Sequence, residues 1–162
     1  MRYIMLTLES QDALLETLSA MPDLLDGAFA GLSAADARIE GADGFSPVEQ
    51  CWHLADLERE GYGVRIQRLL TEHDPVLPDF DGDRVARERD YKSLSLTEGL
   101  AAFRLARTAN VAALRRVSDS EWDRRGTQDG VGHIGLCDVP AMMAEHDAAH
   151  RKEIEAWIYR KR

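Results

Sequence analysis

The chain has 162 residues, and its 29 acidic and 20 basic residues give a formal net charge of −9 at pH 7. This length suits one domain over residues 1–162, and the acidic balance argues against a nucleic-acid surface, because phosphate binding needs a concentrated excess of Lys and Arg. No signal-peptide pattern opens the sequence, and no stretch approaches the ~18 apolar residues of a membrane span, so we expect a soluble cytoplasmic protein.

Apolar residues at mixed spacings of three and four predict a first helix from about Glu9 to Leu32. Pro22 stands in the middle of this stretch, and we expect the helix to kink or restart there, because proline lacks the amide hydrogen that continues the hydrogen-bond ladder. The following stretch, Ser33 to Phe45, contains two glycines and reads as a connection.

The sequence Ser46-Pro47-Val48-Glu49 predicts the start of a second helix, which runs to about Glu72. The serine is suited to cap the helix, the proline fits the first helical position, and the glutamate completes a capping box. His53 falls at the border of the apolar stripe, near Glu49 and Asp56. It faces inward only if the adjoining helix offers a partner.

The stretch from His73 to Leu94 contains two prolines, a glycine and many charges, and it predicts a long loop with a short helical turn from Arg84 to Tyr91. Alternate aspartates from Asp79 to Asp83 resemble the start of a calcium-binding loop. However, Arg84 stands where that loop requires glycine. A solvated acidic loop is therefore the better interpretation.

A second capping box, Ser95 to Glu98, predicts a third helix that ends near Val117. Arg107 stands in the apolar register of this helix. A guanidinium in that position requires a carboxylate, because a buried unpaired charge is strongly destabilising. Glu58 on the second helix is a candidate for this structural ion pair, and the alternative is that Glu58 is exposed.

The glycine-rich stretch from Asp123 to Leu136 predicts a short irregular or hairpin segment before the last helix. Gly130 to Gly135 spells G-x-G-x-x-G, the dinucleotide-binding fingerprint. No buried strand leads into it, so we regard the match as accidental. We predict that His133 is a surface residue rather than a ligand, with a position over the mouth of a site as the alternative.

The last helix is predicted from Asp138 to Ile158, and its inward-facing series contains two histidines where a core normally takes leucine. His146 and His150 stand four residues apart, so both imidazoles project from one face, close enough to bind the same ion. An unpaired buried polar atom costs roughly 1–3 kcal/mol, so water, a carboxylate or a metal must meet them. The alternative is two ordinary histidines at a partly hydrated helix edge.

Four long amphipathic helices, with no convincing strand of four or more residues, predict an all-α protein with the four-helix bundle architecture. The long link between the second and third helices is compatible with simple up-down order or with a crossover. Cys51 and Cys137 form no recognisable spacing, and we predict two buried free thiols rather than a disulfide.

Four motifs in the same order resemble the DinB-like superfamily, whose relatives include mycothiol- and bacillithiol-dependent thiol transferases. They are the stretch from Phe45 to Glu58, the pair Phe103 and Arg107, Trp122 before a glycine-rich link, and the stretch from Ala144 to His150. The resemblance implies an up-down-down-up four-helix bundle, often a homodimer, that holds a divalent metal through three histidines. Matched by position, those ligands are His53, His146 and His150.

Three imidazoles leave at least one coordination position open, which is typical of catalytic metal sites. Water activated there would serve a hydrolase, and a low-molecular-weight thiol would serve a thiol S-transferase acting on a small-molecule substrate. Glu49, Asp56 and Glu145 are candidates to accept hydrogen bonds from the second ring nitrogens. Zinc suits three imidazoles best, while nickel, manganese or iron would accept the same ligands. The alternative function is a non-catalytic metal-binding or stress-response bundle.

Overall fold

The computed structural model describes residues 8–42 and 44–161, and its long helices are those that the apolar spacing predicts. The helices of the first half are α1 (Leu8–Ala28), α2 (Pro47–Asp56), the π-helical segment Leu57–Tyr62, and α3 (Gly63–Thr71). Those of the second half are α4 (Gly82–Glu88), α5 (Leu96–Arg115) and α6 (Val139–Lys161). Short 3-10 turns lie at Asp36–Arg38, Tyr91–Ser93, Glu121–Asp123 and Leu136–Asp138.

Pro22 does not interrupt α1, so the restart expected from the sequence does not occur. The neighbouring side chains Met21 and Leu25 are buried in the core, and their packing holds the helix across the missing hydrogen bond. The helix ends at Ala28 rather than at Leu32, because Gly31 adopts a φ of 77° that an ordinary helix cannot accommodate.

The predicted second helix is one continuous helical stretch from 47 to 71, in which the π-helical segment joins α2 to α3. The predicted capping box opens it: the Ser46 amide donates to Glu49 Oε1 at 3.1 Å, and the Glu49 amide donates to Ser46 Oγ at 3.4 Å. The capping box predicts where this helix starts, whereas no local sequence pattern predicts the π-helical segment.

Helices α2 and α5 run parallel. Near their starts, the Trp52 indole donates to the Ser95 carbonyl at 2.9 Å. Further along both, the Asn110 amide donates to the Glu58 carbonyl, also at 2.9 Å. Because two successive bundle helices point the same way, the chain must cross the length of the bundle between them, and residues 72–95 make that crossing.

The other two long helices run opposite to this pair. Helix α1 is antiparallel to α5, since Asp26 near its end meets Arg104 and Glu16 near its start meets Arg115. Helix α6 is antiparallel to α2, since Gln50 near the start of α2 meets Glu153 and His53 further along α2 meets the earlier residue His146. The order is therefore up-down-down-up, and the four-helix bundle is confirmed.

A small sheet accompanies the bundle, and the expectation of no four-residue strand is wrong. Strands β2 (Arg125–Gln128) and β3 (Gly132–Gly135) form an antiparallel hairpin, and β1 (Val76–Leu77) pairs parallel with β2. Backbone hydrogen bonds hold these strands together, and few of their side chains are buried. Their sequence therefore shows no alternating apolar pattern. The Gly130–Gly135 stretch forms the hairpin turn and β3, where Gly130 and Gly132 have positive φ.

Arg107 lies in the centre of the bundle and is 1% exposed. Its guanidinium donates to Glu58 at 2.6 Å, to both oxygens of Asp147 at 2.7 and 2.9 Å, and to the Leu18 carbonyl at 3.1 Å. The Asn110 amide donates to the second Glu58 oxygen at 2.8 Å. Glu58 is the partner expected from the sequence, while Asp147 is an additional one. The network joins α1, the π-helical segment, α5 and α6.

Cys51 and Cys137 are buried free thiols, as predicted. Burial raises the pKa of the Cys51 thiol far above its ordinary value, so this thiol stays protonated and behaves as a small apolar core group. Within the part of the chain that the structure describes, no helix has both the length and the apolar character needed to cross a bilayer.

Candidate metal centre

Three histidines converge between α2 and α6. His53 comes from α2, seven residues after the capping serine, and His146 and His150 come from successive turns of α6. The Nε2 atom of His146 lies 3.4 Å from that of His53 and 3.1 Å from that of His150. One ring nitrogen from each residue can be chosen so that all three lie within 4.8 Å of one another.

These separations fit three ligands of one divalent ion. With Zn–N distances of about 2.0–2.1 Å and tetrahedral angles, two ligand nitrogens lie roughly 3.3 Å apart. The two Nε2 separations measured to His146 bracket this value.

The protonation of the cluster also suits metal binding. Burial, reinforced by the neighbouring His150, lowers the pKa of His53 to about 4. The same causes, with further contributions from His53 and two arginines, lower the pKa of His146 to about 3. Both rings are therefore neutral near pH 7, and a neutral imidazole has a lone pair available for a metal.

Hydrogen bonds fix the orientation of His150. Its Nδ1 lies 2.7 Å from Gln50 Oε1 and 3.0 Å from Glu153 Oε2, and Gln50 is itself held by donating to Glu153 at 2.7 Å. Both neighbours of Nδ1 are acceptor oxygens, so Nδ1 carries the proton. The Nε2 atom is then the nitrogen that presents a lone pair to a metal, and outer partners of a ligand usually set its tautomer in this way.

Close packing fixes the orientation of His53. A Cβ atom at Gly82, the first residue of α4, would lie 2.5 Å from His53 Cε1 and 2.8 Å from Nδ1. The ring therefore lies directly against the backbone of α4, and only glycine permits this approach. His53 Nδ1 is buried without a hydrogen-bond partner among residues 8–42 and 44–161.

The carboxylates proposed as outer partners lie elsewhere. Glu49 is engaged by the capping box, and Asp56 accepts from Tyr91 and from two arginines. Glu145 is exposed at the rim of the site and makes no hydrogen bond with the residues that the structure describes. Gln50 and Glu153 take the expected role instead. Glu153 stands three residues after His150, a spacing that could have indicated it.

The centre opens into a pocket of about 370 Å³. Its lining residues are His53, Leu57, Tyr62, Arg65, Asp79, Phe80, Gln128, Met142, Glu145, His146 and Ala149. The crossing segment between α3 and α5 and strand β2 thus supply walls that the bundle helices alone would not. His133 does not line this pocket. It is exposed on β3, as predicted, and its Nδ1 lies 3.2 Å from the Thr127 hydroxyl.

The fold and this cluster define the class of protein: an up-down-down-up helical bundle with three imidazoles at a pocket. The chain belongs to the DinB superfamily, whose family model matches residues 17–154. This confirms the family resemblance noted in the sequence.

Among solved structures, the chain is similar to YfiT from Bacillus subtilis, described as "a probable metal-dependent hydrolase with an unusual four-helix bundle topology". The two share 21% identity, the match covers 99% of this chain and 93% of that one, and the TM-score is 0.90. Identity at this level establishes the shared fold. A comparison with curated proteins gives no significant match.

Proposed function

We propose that this protein binds one divalent metal ion through His53, His146 and His150 and hydrolyses a small molecule held in the adjoining pocket. The observation that carries the proposal is the convergence of three imidazoles at Nε2–Nε2 distances of 3.1 and 3.4 Å, at the wall of a pocket. The metal-dependent hydrolase description of YfiT, a protein of the same fold, supports it.

The chemistry follows from the ligand set. A divalent ion supplies a Lewis acid that makes water a competent nucleophile near neutral pH. The chain contributes three imidazole nitrogen ligands and leaves the side toward the pocket open. Gln50 and Glu153 hold the His150 tautomer, and Gly82 holds the His53 ring. Asp79 and Glu145 are the carboxylates that line the pocket, and we assign the proton-accepting role to this pair.

Zinc is the ion that we propose, because three imidazoles with an open position are its characteristic catalytic ligand set. Nickel, manganese and iron remain chemically compatible with the same ligands. In the thiol S-transferase alternative, a low-molecular-weight thiol takes the place of water. Thiol consumption with an electrophilic substrate, compared between the wild type and His53→Ala, tests that alternative.

Removal of the metal tests the proposal. Protein purified without a histidine tag should contain about one divalent ion per chain by elemental analysis. We expect hydrolysis of a panel of small esters and amides to disappear on chelation and to return when zinc is added back. Hydrolysis that survives complete removal of the ion would contradict the enzyme proposal. A bound ion with no activity on any substrate would favour the non-catalytic, metal-binding alternative.

Gly82→Ala should weaken metal binding. The added methyl group would lie 2.5 Å from His53 Cε1, so the ring would have to move. We expect roughly a 10–100-fold loss of affinity, as when the outer support of a ligand is removed. Competition against a chromophoric chelator measures it.

Gly27→Ala is the matched control for this prediction, since a Cβ atom there meets no described atom within 4 Å. That variant should keep the wild-type metal affinity and gain a little helix stability. Wild-type affinity in Gly82→Ala would show that the backbone of α4 does not position His53.

Two further expectations stay predictions, namely a homodimer, which the family resemblance implies, and a cytoplasmic location. Sedimentation equilibrium tests the first, because a dimer doubles the mass of the sedimenting species. Cell fractionation tests the second.

A further inference from the structure

Arg65 is a buried arginine that makes no ion pair with the residues that the structure describes. It lies on α3, is 5% exposed, and lines the same pocket as His53 and His146. Its guanidinium carbon stands 5.2 Å from the centre of the Tyr62 ring. Its Nε is buried without a hydrogen bond, and within the described ranges no carboxylate comes within 4.0 Å of its nitrogens. Asp79, at the exposed rim, is the acidic group that faces it from a greater distance.

The buried Arg65 guanidinium differs from that of Arg107 in its lack of an ion pair. Both guanidiniums are buried, but Arg107 forms ion pairs with Glu58 and Asp147, whereas Arg65 forms none with the residues that the structure describes. Burial lowers the pKa of Arg65 below its ordinary value, because little compensates the lost hydration. A buried unpaired charge is strongly destabilising, so its retention beside a pocket indicates a ligand that neutralises it.

Other residues that line the pocket also have buried polar atoms without hydrogen-bond partners. The structure describes five buried side-chain nitrogen or oxygen atoms without partners, and three belong to residues that line this pocket: Arg65, His53 and Gln128. Unpaired buried polar atoms are rare in folded proteins, and their concentration at one cavity indicates a polar ligand. Leu57, Phe80 and Met142 add an apolar wall.

We propose that the pocket binds a small organic anion, whose oxyanion group pairs with Arg65 and whose apolar part lies against Leu57, Phe80 and Met142. The planar guanidinium suits a carboxylate or a phosphate, because both accept its parallel hydrogen bonds. Resting on the proposed function, this assigns the substrate class of the hydrolase: a small molecule that carries a carboxylate or phosphate group next to the bond that is broken.

The test is calorimetric titration of the protein as purified with benzoate, inorganic phosphate and benzamide, the neutral isostere of benzoate. We expect at least one of the two anions to bind, and to bind R65Q at least about tenfold more weakly than the wild type. Benzamide should bind weakly to both. Tighter binding of benzoate identifies a carboxylate substrate, and tighter binding of phosphate identifies a phosphate ester.

R68Q is the matched control, since Arg68 lies one turn further along the same helix and makes a surface ion pair with Glu72. It removes the same charge away from the pocket and should bind the anion like the wild type. R65Q should also unfold at the same or a higher temperature than the wild type without ligand, because an unpaired buried charge is gone. An anion should raise the melting temperature of the wild type and not that of R65Q.

Repeating the titration after chelation separates this inference from the proposed function. Anion binding that survives chelation and is lost in R65Q supports the inference, even if no metal is ever found. Binding that is lost on chelation but unchanged in R65Q places the anion on the metal and overturns the inference, while leaving the metal centre intact. The failure of both anions to bind the wild type would overturn it as well.

Discussion

His146→Ala should lower the metal content from about one ion per chain to nearly none. His146 is the middle ligand: its Nε2 lies 3.4 Å from that of His53 and 3.1 Å from that of His150, so its removal leaves two nitrogens without the one between them. Loss of a direct ligand should exceed the roughly 10–100-fold effect of losing an outer partner. Elemental analysis after gel filtration measures the outcome.

His133→Ala is the control for this prediction, because it removes an imidazole that is exposed on the hairpin and lies outside the pocket. It should retain the wild-type metal content. Circular dichroism should show that both variants keep the helical fold, since His146→Ala removes a half-buried ring that no backbone hydrogen bond depends on. Stoichiometric metal in His146→Ala would refute the three-histidine centre.

Arg107→Met should destabilise the protein by about 3–5 kcal/mol, the usual effect of breaking a buried ion pair by removing one partner. The substitution leaves the Glu58 and Asp147 carboxylates buried without the guanidinium that pairs with both of them. Equilibrium unfolding in urea measures the free energy of unfolding. The linear dependence on denaturant should keep its slope if the native state is otherwise intact.

Arg104→Met provides the comparison within the same helix. Arg104 meets Asp23 and Asp26 at the surface, where an ion pair is worth no more than about 1 kcal/mol. The two variants remove the same charge three residues apart, so a large difference between them isolates the contribution of burial. Equal and small losses would mean that the central network does not hold the helices together.

Much of the fold was predictable because local chemistry determines it. Ser46 and Ser95 both cap helices in the predicted places, since each signal lies within four residues. The hairpin was one of the two predicted forms of the glycine-rich segment, but its four-residue strands were not predictable, because their residues carry no apolar alternation and their stability comes from backbone pairing. The continuous helix through Pro22 likewise depends on core packing that no local pattern records.

The candidate site divides in the same way. The spacing of His146 and His150 places them on one face of a helix, and this follows from helical geometry alone. His53 required knowledge of which helix lies opposite, and only the family resemblance supplied it. Gln50 and Arg65 had no distinguishing sequence signal, because an ordinary-looking polar residue becomes an outer partner or an anion site only through tertiary contacts.

The π-helical segment at Leu57–Tyr62 explains how His53 and Arg65 come to share a pocket. Twelve positions of regular α-helix would place their directions about 120° apart around the axis. The π-helical segment has more residues per turn, so it accommodates the equivalent of one additional residue. The angle between the directions of His53 and Arg65 is thereby reduced to about 20°. A single extra residue, accommodated without ending the helix, thus aligns the cationic Arg65 side chain with the His53 imidazole about three turns away.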